Sequence, residues 1–158
     1  MLALKAVLWA LVAPGPVDIA VPAILIATKA GPMDLGPVRW LGLPLIAIGA
    51  PVLVWCIVNF AREGKGTLAP VDPPKFVVRG GPYRLVRNPM YVANLMIISG
   101  EALLFQSWAV AAWGALMAIV FHTFVILYEE PALKRLFGDA YEEYRRSVPR
   151  WIPRVRIR

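Results

Sequence analysis

The chain has 158 residues, of which 59% are hydrophobic and 17% are charged, and its mean hydropathy is +0.62. Soluble domains average about 25% charged residues, so this composition predicts an integral membrane protein with a single domain over residues 1–158. The net charge of +7 does not indicate a nucleic-acid partner, because the basic residues flank apolar segments, and the single cysteine, Cys56, excludes a disulfide framework or a multi-cysteine metal site. We therefore expect membrane lipids as partners, and neither a metal site nor nucleic-acid binding.

The first apolar stretch covers residues 3–28 and is long enough to cross a membrane. Lys5 precedes it as in a signal peptide, but the small residues near its end form a poor cleavage site, so we expect a retained span. Asp18 lies within this span. An ionisable group at that depth should face the bundle interior or an aqueous cavity, where a structural partner is a more common role than a substrate contact.

A turn-rich connection over residues 29–39 leads to a second apolar span, residues 40–60. Gly42, Gly49 and Ala50 in this span favour the close approach of a neighbouring helix. The composition then changes, since residues 61–89 contain six Lys or Arg and five Pro. This stretch predicts a functional loop without a long regular element.

Residues 90–105 and 108–128 are two further apolar segments, separated only by Gln106 and Ser107. This pattern predicts a tight antiparallel helical hairpin. The first arm is short for a complete crossing, so it either tilts little, thins the bilayer or ends below the opposite surface. Together the segments predict an all-α membrane bundle of about four transmembrane helices.

Beyond residue 128 the chain is charged and amphipathic, which predicts a C-terminal cytoplasmic helix, interrupted at Gly138, and a tail. Residues 149–158 contain two prolines and four arginines, and they predict an extended tail at an anionic membrane surface. The apolar and aromatic residues that recur at helical spacing are Leu133, Leu136, Phe137, Ala140, Tyr141 and Tyr144.

The basic residues predict the orientation. Loop 61–89 carries six Lys or Arg and the tail 129–158 carries eight, whereas the connection 29–39 carries two. With four spans, the positive-inside rule places the loop, the tail and both termini in the cytoplasm. We therefore expect a multi-pass protein of a bacterial or archaeal inner membrane.

Closure of the hairpin brings two cytoplasmic segments together, residues 77–91 and 122–153 approximately. The glycine-rich stretch at residues 80–84 then lies near Glu129 and Glu130, and the site would combine both. On the second arm, His122 and Glu129 are seven residues apart and are expected to share a face. For a lone histidine such as His122, a hydrogen-bonded structural role is more common than that of a catalytic base.

The first arm carries a partly polar stripe, because residues at steps of three and four lie on one helical face and some of them are polar here. Polar residues in such a stripe should face the bundle interior and avoid lipid. The residues of the stripe are Tyr91, Asn94, Ile98 and Glu101.

Two ordered motifs carry a family resemblance. The first is GPYRLVRNPMY, residues 81–91, and the second begins at Glu129 with EEPAL and continues with Phe137-Gly138, Tyr141, Tyr144 and Val148-Pro149-Arg150. In combination they resemble the isoprenylcysteine carboxyl methyltransferase and phospholipid methyltransferase superfamily. The resemblance covers about residues 77–153, whereas the first two spans match only in hydropathy.

The resemblance implies a small all-helical membrane enzyme that binds S-adenosylmethionine at the cytoplasmic end of its last helices and takes a lipophilic or membrane-embedded acceptor from the bilayer. The acceptor group would be a carboxylate, an amine or a thiol. Asn88 stands where the family most often has histidine. The cofactor-binding candidates implied are Tyr83, Arg84, Arg87, Asn88, Pro89, Tyr91, Glu129 and Glu130.

We expect Glu129 or Glu130 to hold the ammonium or a ribose hydroxyl of the cofactor, and Arg87 or Arg84 to contact its carboxylate. A carboxylate acceptor needs no general base, whereas an ammonium or a thiol must lose a proton. The catalytic candidates are therefore Glu129, Glu130 and His122. The main alternative is a non-enzymatic scaffold whose basic loops bind anionic lipid, and a sterol-type reductase ranks below both.

Overall fold

The computed structural model describes residues 15–63 and 76–154, and the elements in these ranges are helices. A π-helical turn, Pro16–Ala20, leads into α1 (Val21–Ala27), and a 3₁₀ turn, Gly36–Leu41, leads into α2 (Gly42–Glu63). After a 3₁₀ turn, Gly81–Arg84, come α3 (Pro89–Leu104), α4 (Trp108–Phe124), a π-helical segment (Val125–Glu129), α5 (Glu130–Phe137) and α6 (Asp139–Ser147). The all-α prediction is confirmed for these ranges. Residues 3–14 of the first expected span, residues 64–75 of the basic loop and the last four residues of the tail lie outside them.

Two of the helical stretches are long and apolar enough to cross a membrane, Gly36–Phe60 and Trp108–Phe137. Most of their residues are not buried inside the protein, and large side chains such as Val54, Ile119 and Leu127 are exposed, as expected for a lipid-facing surface. Pro16–Ala27 and Pro89–Leu104 are apolar but shorter. At 1.5 Å per residue, α3 reaches about 24 Å, less than the hydrocarbon core of about 30 Å. Four complete spans therefore remain a prediction.

Helices α2 and α3 approach each other closely through glycine. A Cβ atom at Gly42 would overlap the carbonyl oxygen of Gly100, and one at Gly49 would lie 3.0 Å from the carbonyl oxygen of Ala93. The contacts run in opposite directions along the two helices, so the helices are antiparallel. The expected close approach at Gly42 and Gly49 is confirmed, and Leu53 fills the apolar contact beside Ala93.

The helical hairpin is formed by α3 and α4. The rings of Tyr91 and Phe121 stack at 4.6 Å between their centroids, and Ile98 and Val110 are completely buried. At the turn, the Ser107 hydroxyl donates to the Ala30 carbonyl at 2.9 Å, which ties the first connection to this end of the bundle. Residues 76–88 meet α5 and α6 at the other end of the hairpin, away from this turn.

Asp18 faces the interior, as the sequence predicts, and is 4% exposed. With the Asn94 amide nitrogen turned toward it, Nδ2 of Asn94 donates to Asp18 Oδ2 at 3.0 Å. Asn94 and Ile98 of the polar stripe are buried, and Tyr91 and Glu101 are half-buried. The stripe therefore packs against the first apolar helix, and Asp18 has a structural partner.

The amphipathic segment is interrupted at Gly138, as predicted. Gly138 has φ +52°, a conformation that non-glycine residues seldom adopt, and it separates α5 from α6. The reversal directs Tyr141 and Tyr144 of α6 back toward the bundle, where both are buried with Val148. This helix pair forms one wall of the site described next.

Candidate cofactor site

A cavity of about 70 Å³ lies where residues 76–88 meet the end of the long α4–α5 helical stretch and α6. The two segments expected to share a site thus meet around one cavity. Five of the expected residues line it. The lining residues are Phe60, Phe76, Val77, Val78, Tyr83, Arg87, Asn88, Glu129, Glu130, Leu133, Phe137, Tyr141 and Tyr144.

Glu130 forms the charged centre of this region. Its carboxylate accepts from Nε and Nη2 of Arg150 at 2.7 and 2.9 Å, and it pairs with Nη1 of Arg87 at 3.1 Å. The Glu130 and Arg87 side chains are only 10% and 9% exposed. The hydrogen bonds that Arg150 donates to Glu130 raise the pKa of Arg150, which therefore stays charged. Two arginines thus neutralise Glu130, and its main contacts are structural.

The tail is fastened to the same place by backbone groups. The Arg87 amide donates to the Pro149 carbonyl at 2.8 Å, and Nδ2 of Asn88 donates to the Arg150 carbonyl at 3.2 Å. The side-chain amide of Asn88, which stands where the family most often has histidine, therefore holds the tail. Pro89 follows as the first residue of α3, where its missing N–H costs no helical hydrogen bond.

Glu129 has different partners from its neighbour. Its Oε1 accepts from the Tyr91 hydroxyl at 2.8 Å, and within residues 15–63 and 76–154 no Lys or Arg pairs with it. Adjacent residues on a helix point about 100° apart, so the two carboxylates enter the cavity region from different directions. Glu129 is consequently the carboxylate with capacity to bind a cationic or hydroxyl group.

The aromatic wall of the cavity is held by Tyr83 and Tyr144. The Tyr144 hydroxyl donates to the Tyr83 carbonyl at 2.7 Å, and both side chains are buried. Burial raises the pKa of both phenols, so both remain neutral at physiological pH. They provide ring surface and exclude water without adding charge.

The sequence did not point to Glu63 or Arg79, which fix the loop before Tyr83. Oε2 of Glu63 accepts from the Gly80 amide at 2.9 Å and from the Arg79 amide at 3.3 Å. The Arg79 guanidinium donates to Glu143 at 3.2 Å and to the Ala140 carbonyl, both on α6. The only signal in the sequence was a carboxylate at the end of an apolar helix. Such a residue is usually read as solvent-exposed.

Four candidates lie away from the cavity lining, and one of them is Pro89, which is buried at the start of α3. Arg84 is exposed, and Tyr91 reaches the cavity only through Glu129. His122 is exposed and accepts at Nδ1 from Trp151 Nε1 at 3.2 Å. Glu129 accepts from Tyr91 instead, and a π-helical segment, Val125–Glu129, follows His122 on the same helical stretch, so a shared face of His122 and Glu129 stays a prediction.

Residues 15–63 and 76–154 contain no group of three or more His, Cys, Asp or Glu side chains placed to hold a metal ion.

The model of the phospholipid methyltransferase family matches residues 37–140, which include α2, the hairpin, α5 and most of the cavity lining. The chain belongs to the phospholipid methyltransferase family. The resemblance found in the two motifs is thereby confirmed.

Relatives of this family member include the cobalt-zinc-cadmium resistance protein CzcN of Cupriavidus metallidurans, 32% identical over 74% of this chain and 48% of that protein. The nickel-cobalt-cadmium resistance protein NccN of Alcaligenes xylosoxydans xylosoxydans is 28% identical over 76% of this chain and 50% of that protein. The protein-S-isoprenylcysteine O-methyltransferase of Schizosaccharomyces pombe is 34% identical over 50% of this chain and 34% of that protein. The chain therefore spans about half the length of the two bacterial relatives.

Proposed function

We propose that this chain transfers a methyl group from S-adenosylmethionine to a lipophilic acceptor in the membrane. The observation that supports it most is the cavity, in which both motifs of a methyltransferase family meet around Glu129, a carboxylate without a basic partner among the described residues. In this proposal the cavity lies on the cytoplasmic side of a multi-pass protein, as the basic loop and tail favour.

The chemical groups that line the cavity are suited to binding S-adenosylmethionine. Glu129 can accept hydrogen bonds from an ammonium or a ribose hydroxyl, and Nε of Arg87 is buried without a hydrogen-bond partner in the described parts of the chain. The rings of Tyr83, Phe137 and Tyr144 can cover a flat base and attract a cationic sulfur. A buried guanidinium with a free N–H is a suitable donor for a ligand carboxylate.

The cavity is smaller than the ligand requires. Small-molecule sites enclose about 300–1,000 Å³, several times the volume of about 70 Å³ found here. In our proposal, binding therefore widens the cavity by separating residues 76–78 from α5 and α6. The contacts of Arg79 with α6 are those that such a separation would break.

When bound, S-adenosylmethionine supplies a methyl group activated by a sulfonium sulfur. In our proposal Glu129 holds the ammonium or a ribose hydroxyl, and the Tyr91 hydroxyl fixes the direction of that carboxylate. Arg87 binds the ligand carboxylate, while Glu130 keeps Arg87 in position. Positioning of the reactants and exclusion of water would then provide most of the rate acceleration.

The names of the relatives support the proposal unequally. One relative is named as an O-methyltransferase, whereas the two bacterial relatives are named for metal resistance. Methyl transfer to a membrane component is compatible with a role in resistance. A scaffold that binds anionic lipid through basic segments is the competing proposal, and it requires no cofactor.

Transfer of radiolabelled methyl from S-adenosylmethionine tests the proposal. The full chain is reconstituted in lipid nanodiscs and offered lipophilic acids, amines and thiols of matched chain length. We expect transfer to at least one class, a loss of about tenfold or more in Glu129→Gln, and no loss in Glu142→Gln, whose carboxylate pairs with Lys134 and Arg145 away from the cavity. Equal activity in both variants would exclude Glu129 from the site. Absence of transfer to every class would favour the scaffold.

A further inference from the structure

His122 contacts Trp151 of the tail and does not line the cavity. The indole Nε1 of Trp151 donates to its Nδ1 at 3.2 Å, and the two ring centroids are 6.0 Å apart. The rest of the His122 side chain is exposed on α4. It is the single histidine of the chain.

This contact determines which nitrogen of His122 carries the proton. An indole N–H can only donate, so Nδ1 must offer its lone pair to Trp151. The neutral imidazole then has its proton on Nε2, and Nε2 is a hydrogen-bond donor. A general base needs a free lone pair, so His122 in this arrangement is a donor toward whatever lies beside α4.

Trp151 connects this donor to the candidate site. Its ring lies 6.5 Å from that of Tyr91, centroid to centroid, and the Tyr91 hydroxyl is bonded to Glu129. Tyr91 also stacks on Phe121, the residue before His122. Tyr91 therefore has the cavity carboxylate at its hydroxyl and Trp151 beside its ring, and Trp151 in turn contacts the exposed His122.

We propose that Tyr91, Trp151 and His122 form the acceptor subsite, in which Nε2 of His122 donates to an oxygen of the acceptor's polar group while the rings contact its apolar chain. The inference rests on the proposed methyl transfer and deepens it. The acceptor class it names is a lipophilic molecule with an anionic oxygen, such as a carboxylic acid. Methylation of a carboxylate forms an O–C bond as the C–S bond breaks, and the electron pair of that bond stays on sulfur. No proton is released, so a donor at His122 suffices.

The tautomer can be measured directly. Because the chain has one histidine, ¹⁵N-histidine labelling and a histidine-free affinity tag give NMR signals from His122 alone. We expect the ¹⁵N shifts of the form protonated at Nε2 in the wild type, and a mixture of tautomers in Trp151→Phe, which keeps a ring but removes the N–H. A wild-type signal from the form protonated at Nδ1 would overturn the inference.

Ligand binding without the cofactor tests the subsite itself. A radiolabelled lipophilic acid and the alcohol of the same chain length are bound to the protein in a phosphate-free maltoside detergent. We expect His122→Phe to weaken binding of the acid about tenfold or more. His122→Gln retains an N–H donor and should weaken binding of the acid less. Both variants should bind the alcohol nearly as the wild type does. Equal acid binding by wild type and His122→Phe would refute the subsite.

Two further measurements distinguish the acceptor subsite from a lipid-phosphate contact and from a general base at His122. If the variants differ from wild type only when phospholipid nanodiscs replace the detergent, the partner of His122 is a lipid phosphate and the acceptor assignment is wrong. If His122→Gln abolishes turnover with unchanged acid binding, and with it the acid limb of the pH profile, His122 is a base after all. S-adenosylmethionine binding by the same samples is measured separately, so its absence in the wild type would count against the proposed function and not against the subsite.

Discussion

Removal of the Glu130 charge should destabilise the protein far more than removal of the neighbouring Glu129 charge. In Glu130→Gln the buried Arg87 loses its ionic partner and Arg150 loses a two-point hydrogen bond. Loss of one partner of a buried ion pair costs about 3–5 kcal/mol. The Arg150 side chain is 31% exposed, so its share is screened by solvent, and we expect the lower end of this range, about 3 kcal/mol.

Glu129→Gln provides the matched control, because its amide oxygen can still accept from Tyr91 and no Lys or Arg of the described residues pairs with it. A loss of about 1 kcal/mol or less is expected there. Thermal unfolding in detergent, followed by tryptophan fluorescence, should therefore show a Tm lower by about 6–12 °C for Glu130→Gln and by a few degrees at most for Glu129→Gln. Equal Tm values for the two variants would show that the Glu130 contacts do not hold the tail and the helices together.

Two further predictions concern the loop and the helix contact. Glu63→Ala leaves the Gly80 amide without its acceptor and should raise the Kd for S-adenosylmethionine several-fold. Glu63→Gln keeps an acceptor oxygen and should bind S-adenosylmethionine nearly as the wild type does. Similar calorimetric Kd values for Glu63→Ala and wild type would contradict the role assigned to Glu63. Gly42→Ala should lower the free energy of unfolding by about 1–3 kcal/mol, because the added Cβ would meet the backbone of α3. Gly15→Ala has open space around the added Cβ and should not lower it. Equal Tm values for the two variants would refute the close contact at Gly42.

The local elements could be predicted because each depends on a short-range pattern. Apolar segments separated by Gln106 and Ser107 predict the hairpin, and a glycine between two amphipathic stretches predicts the break at Gly138. Glycines on one face of α2 likewise predict its close contact with α3. The number of complete crossings could not be predicted in this way, because a 16-residue apolar helix is compatible with either a short span or a packed helix.

The partners of the charged residues could not be predicted, since they depend on long-range contacts. Two adjacent glutamates look equivalent in the sequence, yet Glu130 binds two arginines and Glu129 binds a tyrosine. Helical periodicity predicts that His122 and Glu129 share a face, but this prediction assumes a regular α-helix, and the segment Val125–Glu129 is π-helical. The family motifs named most of the polar residues of the cavity, whereas the contacts of Glu63 and Trp151 became visible only in three dimensions.

Calorimetry of S-adenosylmethionine binding to the purified full chain tests the central claim most directly. We predict saturable binding by the wild type, a Kd raised about tenfold or more in Glu129→Gln, and a Kd within about twofold of wild type in Glu142→Gln. Absence of binding to the wild type in both detergent and lipid nanodiscs would contradict the proposed cofactor site.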